Sequence, residues 1–95
     1  MNPNMFDDLV NSLKKNNSSD HQMYLIQVTI GAAGIISPSQ VAKLMKFLSS
    51  DNDKLELAKM AYGYIIDRDS YDNIVGETFS SNGMKNYLNQ YIYRY

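Results

Sequence analysis

Apolar side chains recur every three or four residues along most of this chain, with polar residues between them. That is the period of helices packed through one face. The first such run is Met5, Phe6, Leu9, Val10 and Leu13. Asn2 is placed to cap it, and Pro3 suits the first helical position, where its missing N–H would be unpaired in any case. Asp7 and Asp8 near the start and Lys14 and Lys15 near the end suit the helix macrodipole. The polar run Asn16-Asn17-Ser18-Ser19 ends the pattern, which predicts a helix over 3–15.

From Asp20 to Ala33 two readings compete. Tyr24-Leu25-Ile26-Gln27-Val28-Thr29-Ile30 is rich in β-formers and could be a buried strand. No second run of comparable strand character exists to pair with it, so a helix ended by Gly31 or Gly34 is the better expectation.

Ser37-Pro38-Ser39-Gln40 then offers a capping hydroxyl, a proline at the first helical position and a glutamine able to reach back to the cap amide. Val41, Leu44, Met45 and Leu48, with Phe47 beside them, form the face of a core-packed helix. Asp53 is expected to cap the next helix with Glu56 at its third position, and Leu55, Ala58, Ala61, Tyr62, Ile65 and Ile66 to bury themselves. Asp69 is expected to cap a shorter segment with Tyr71, Ile74 and Val75 inward, weakened by Gly76 and anchored by Phe79. Ser80 or Ser81 opens a last helix carrying Met84, Tyr87, Leu88, Tyr91 and Ile92. The prediction is an all-α fold: a compact bundle of about five to six short helices.

Leu25, Gly31, Ser37, Phe47 and Ser49 match Leu57, Gly63, Asp69, Phe79 and Ser81 at a constant offset of 32 residues. Two stacked helix pairs would produce this offset, and five matches also lie within the reach of chance.

Length and composition fit that picture. A chain of 95 residues with 44% hydrophobic and 20% charged side chains favours one domain spanning 1–95, burying roughly 65% of the surface exposed by its unfolded form. Cysteine is absent, which removes disulfides, thiolate metal sites and cysteine nucleophiles together. No leader-like or membrane-spanning apolar run is visible, so a cytoplasmic location is expected and the sequons at Asn16 and Asn17 carry no weight. Nine basic and ten acidic residues give a net charge of -1, and the basic residues are scattered. Nucleic acid is therefore not an expected partner, and neither is a membrane.

Several residues carry a resemblance. Ser39-Gln40-Val41 opening a helix, Phe47 followed by Lys54-Leu55-Glu56-Leu57-Ala58, Asp67 followed by Tyr71, and Phe79-Ser80-Ser81 before a terminal helix are similar to the pattern of a helical family called domain of unknown function forty-four seventy-six. The resemblance covers about Asp20 to Ile92, with the 3–15 helix expected to pack on that region. It implies a small helical domain and carries over no activity, ligand or catalytic residue.

Candidate chemistry is sparse. Asp67-Arg68-Asp69-Ser70-Tyr71-Asp72, continuing to Glu77, is suggestive of a calcium loop, but Tyr71 stands at the fifth position, Asp72 at the glycine position and Thr78 at the twelfth. Asp51-Asn52-Asp53 lacks a downstream bidentate acid and is explained by capping. His21 is the sole histidine and reads as a surface residue. The five glycines form neither a phosphate loop nor a nucleophile elbow, so no enzyme activity and no cofactor are expected.

What folding does not fully absorb is aromatic. Of eight tyrosines, Tyr87, Tyr91, Tyr93 and Tyr95 fall in the last nine residues, with Arg94 among them. Core packing with hydroxyls at the rim accounts for part of this, and tyrosine with arginine is also the composition of interface hot spots. The expected function is a non-enzymatic helical interaction module binding another protein or itself through Tyr87, Tyr91, Tyr93, Arg94 and Tyr95. The alternative is a calcium- or small-ligand-binding domain using the turn at Asp67–Asp72.

Overall fold

The computed structural model describes residues 1–15, 18–66, 68–79 and 82–93, and the backbone alone of Ser19 and Asn82. These residues form six helices: α1 (Pro3–Lys15), α2 (Ser19–Ala33), α3 (Pro38–Met45), α4 (Asp51–Tyr62), α5 (Tyr71–Gly76) and α6 (Asn82–Ile92). No strand occurs among the described residues. The fold is all-α, as expected.

The start and stop signals act largely as local chemistry dictates. The Asn2 side chain accepts from the Asn4 amide at 2.8 Å, which caps α1. Asp7 and Asp8 fall one turn further in, beyond the first turn where the macrodipole is felt most. The ambiguous segment is wholly helical. Ser18 caps it by accepting from the His21 amide at 3.4 Å. Gly34, not Gly31, ends it, with φ 77 and its N–H donating to the Ile30 carbonyl. That left-handed conformation is where an L side chain would be strained.

At α3 the expected capping box is complete: the Gln40 amide donates to Ser37 Oγ at 3.2 Å, and the Ser37 amide donates to Gln40 Oε1 at 3.1 Å. The Gln40 Nε2 also donates to the Met1 carbonyl at 2.9 Å, tying the chain's start to α3.

Two expected caps are corrected. Asp53 does not cap α4. Ser50 does, accepting from the amides of Asn52 and Asp53, so the helix begins at Asp51 and gains most of a turn. Asp51 and Asp53 then lie in its first turn, where negative charge is favoured. Nor does Asp69 cap α5: Ser70 occupies that position and makes no side-chain capping bond. Ser80 and Ser81, read as the start of the last helix, lie outside the described residues.

The helices form two layers. In one, α4 packs between α2 and α6; in the other, α3 packs on α5. The layers join through α3 against α4 and α5 against α6, while α1 packs on α2. The thinnest dimension is 16 Å, close to the ~14 Å given by two helix axes about 9 Å apart plus the Cα radius on either side. The 32-residue offset reappears here: Ser18 and Ser50, the caps of α2 and α4, are separated by it. Helices α2 and α4 are each followed by a short helix, and the second pair stacks on the first.

The core is made of Phe6, Leu9 and Leu13 from α1, Ile26 and Ile30 from α2, Val41, Leu44 and Met45 from α3, Leu57, Ala58 and Ala61 from α4, Tyr71 and Val75 from α5, and Leu88 from α6. The loops add Ile36, Leu48 and Ile65. Leu57, absent from the expected stripe, is fully buried, whereas Ile66 is 79% exposed. Helical spacing fails at Ile66 because α4 ends at Tyr62 and the chain beyond it no longer advances 100° per residue. Ile74 is also exposed, because its helix buries Tyr71 and Val75 instead.

Tyr71 is the largest fully buried side chain. Its hydroxyl donates to the Ala58 carbonyl at 2.5 Å, linking α5 to α4. Its ring lies 5.3 Å from that of Tyr62 at a tilt of 59°, a favourable aromatic geometry. Near α5's end, a Cβ on Gly76 would sit 3.0 Å from the Lys85 Cγ, so glycine lets the Lys85 stem from α6 cross it.

Two stability predictions follow from these bonds. Ser37→Ala removes the acceptor for the Gln40 amide and should lower unfolding free energy by about 1 kcal/mol in urea titration. Tyr71→Phe should cost about 1 kcal/mol near neutral pH, since the Ala58 carbonyl keeps its place in the helix ladder. Burial, then the neighbouring phenols Tyr62 and Tyr91, push the Tyr71 hydroxyl well above its ordinary value. A folded-state value raised in this way stabilises fully below the unfolded-state value of about 10, and that contribution is lost as pH climbs toward the folded value. The gap between wild type and Tyr71→Phe should therefore shrink by about 1 kcal/mol between about pH 8 and about pH 11, as read by urea titration at both.

Candidate interaction surfaces

Helix α6 turns Leu88 into the core and leaves the adjacent Tyr87, about 100° around the helix, 59% exposed. Tyr91 follows Tyr87 by one turn, so the two rings line one flank of α6. Across from them α4 contributes Leu55 and, one turn on, Lys59. With Gln90 these residues enclose a shallow groove of about 310 Å³. The Lys59 ammonium lies 5.7 Å from the centre of the Tyr91 ring, within range of its negative face.

Tyr93 goes elsewhere. It stands just past α6, with its amide on the Asn89 carbonyl, and its hydroxyl donates to the Asp72 carboxylate of α5 at 3.1 Å. The structure thus splits the tyrosine cluster: Tyr87 and Tyr91 share a groove, whereas Tyr93 reaches toward α5. Arg94 and Tyr95 lie outside the described residues. On the α5 side, the Arg68 guanidinium lies 4.6 Å from the centre of the Tyr62 ring, while its Nε donates to the Ile65 carbonyl. The hydrogen bond to Asp72 raises the Tyr93 hydroxyl above its ordinary value, with slight burial and then the Asp72 charge adding to it. Asp72→Asn should consequently bring Tyr93 ionisation to lower pH. Ultraviolet titration of that variant beside Tyr93→Phe would show it, and an unchanged tyrosine curve would contradict the bond.

The acidic turn is only partly in view. Asp67, the first position of the calcium-like pattern, lies outside the described residues; Asp72 receives the Tyr93 hydroxyl. Among the described residues no three histidine, aspartate or glutamate side chains converge as metal ligands. His21 is exposed near the start of α2.

A second surface was missed by periodicity. Ile35 and Ile36 follow α2, and Ile65 and Ile66 follow α4; in each pair one side chain enters the core and the other faces outward. The Ile36 amide donates to the Tyr64 carbonyl at 3.0 Å, holding the two loops side by side. Ile35 and Ile66 then line a cleft of about 280 Å³ with Met1, Ile36, Ser37 and Pro38, none of which has a charged side chain. On the neighbouring helix, Tyr24 and Val28 are also more than half exposed. The available signal was the composition of α2, whose apolar residues occupy every side of the helix, more than α1 and α4 cover.

These features define a small, two-layer, all-helical domain with aromatic and aliphatic side chains on its surface. The chain belongs to the family described as Domain of unknown function (DUF4476), whose pattern matches residues 1–92. That match takes in α1 as well as the Asp20–Ile92 region on which the sequence resemblance rested. No curated protein and no solved structure matches the chain. Among the described residues no helix is long and apolar enough to cross a membrane.

Proposed function

We propose that this chain is a non-enzymatic helical interaction module, acting in the cytoplasm, that binds another protein or a second copy of itself through the α6 face bearing Tyr87 and Tyr91. The observation that carries this reading is the exposed Tyr87 ring beside a groove, on a helix whose core contact is already supplied by Leu88. An aromatic ring held on a helix presents a large contact area at little entropic cost, which is why tyrosine is enriched where proteins meet. Tyr93 extends the face toward α5, and Arg94 and Tyr95 continue the sequence beyond it. The non-enzymatic part rests on the sequence, which offers no nucleophile elbow, phosphate loop or metal-ligand spacing. The cytoplasmic part rests on the sequence, which shows no membrane-spanning apolar run, and the absence of cysteine is compatible with it.

Tyr87→Ala should weaken association about tenfold or more, the scale of a hot-spot residue, and leave the circular-dichroism melt unchanged. Light scattering on the purified chain reads self-association, and affinity capture from the source cells, wild type beside variant, reads other partners. Equal masses and equal captured proteins for the two would remove the α6 face from consideration.

A further inference from the structure

We infer that the α4–α6 groove accepts a short acidic, aliphatic segment of a partner protein, an inference that rests on the interaction reading above. Of the five residues that line the groove, Leu55, Lys59, Tyr87, Gln90 and Tyr91, Lys59 alone is charged, and no carboxylate lines it. The nearest acid on its own helix, Glu56, is exposed and does not line the groove. Among the described residues, the ion pair present is Lys54 with Asp51, earlier on α4, whereas the Lys59 ammonium meets the Tyr91 ring, a contact that leaves its N–H groups able to donate to a visiting carboxylate.

The groove's other surfaces fix the rest of the occupant. The half-buried Leu55 and the two rings offer apolar contact sized for an aliphatic side chain. The Gln90 amide and the Tyr87 hydroxyl provide hydrogen-bonding groups for a peptide backbone. From Leu55 to Lys59, as from Tyr87 to Tyr91, is one helical turn, or about 6 Å. That length holds one turn of a helix or two extended residues, so the recognised unit is one aliphatic side chain with one carboxylate beside it.

Charge sets this groove apart from two other clefts. The cleft between α1 and α2, lined by Met5, Asp8, Leu9, Ser12, Leu25 and Thr29, carries a carboxylate, and the isoleucine cleft is lined by no charged side chain. A single cation in a chain of net charge -1 is too little for a phosphate backbone, which is bound by several. It is enough to orient one carboxylate, a contact that selects between partners more than it strengthens binding.

Selection of a random-peptide phage library on the full chain tests this. Enriched peptides should pair Asp or Glu with Leu, Ile or Val. Their affinity should fall about tenfold in Lys59→Glu, and a peptide with its acid changed to lysine should recover binding to that variant alone. Both Lys59→Glu and Tyr87→Ala alter exposed or half-buried side chains, and unchanged melts confirm their fold. Loss in Tyr87→Ala with none in Lys59→Glu would retain the α6 face and overturn the acidic occupant. Peptides indifferent to both substitutions, or no enrichment at all, would overturn the inference and the reading beneath it together. A dimer of this chain that both substitutions dissolve, with no acidic peptide competing for it, would give the groove to a second copy and overturn the inference alone.

Discussion

Helix α4 is packed by α2 on one side, α6 on the other and α3 from the second layer, so its own side chains decide how closely every neighbour approaches. Ala58 and Ala61, both fully buried, allow that approach, while Leu57 fills the space between layers. The fourth tie is polar: α5 reaches α4 through the Tyr71 hydroxyl on the Ala58 carbonyl. Lys54, at the start of α4, donates to the Thr78 carbonyl just past α5, so that short helix is tethered near both ends. Six residues of α5 could not hold a helix in water, because nucleation consumes more order than so few hydrogen bonds return. They are helical because Tyr71 and Val75 are buried against something already in place.

The same arrangement places the surface features. Because Leu88 must meet the core, the helical period turns Tyr87 outward. Because α6 lies along α4, Leu55 and Lys59 become the opposite wall of the groove. The isoleucine cleft has a parallel origin: both loops leave first-layer helices at the same end, and one backbone hydrogen bond joins them. In a non-helical stretch, successive side chains point to opposite sides. Each Ile-Ile pair therefore gives one residue to the core and one to the surface.

Much of the fold was legible in the chain because its signals are local. Pro3, the Ser37–Gln40 box and Gly34 act within a few residues of themselves, and the structure uses all three. Asp53 was expected to cap α4, but Ser50 does so three residues earlier, and the added residues extend the hydrogen-bonded ladder. Ile66 read as core because periodicity assumes that a helix continues, Ile74 was misread because α5 buries the side carrying Tyr71 and Val75, and Leu57 was passed over because its burial comes from α4 being covered on more than one side.

The sequence by itself determined that this chain is helical, and with it the bounds of α1 and the start of α3. Those outcomes depend on interactions among neighbours three or four residues apart, which the order of residues specifies directly. Tertiary structure alone decided that Tyr87 and Tyr91 share a groove with Leu55 and Lys59 while Tyr93 turns to Asp72, and that two isoleucines meet across adjoining loops. Such pairings join residues about 20 to 35 positions apart, and only the packing of α4 against its neighbours brings them within reach.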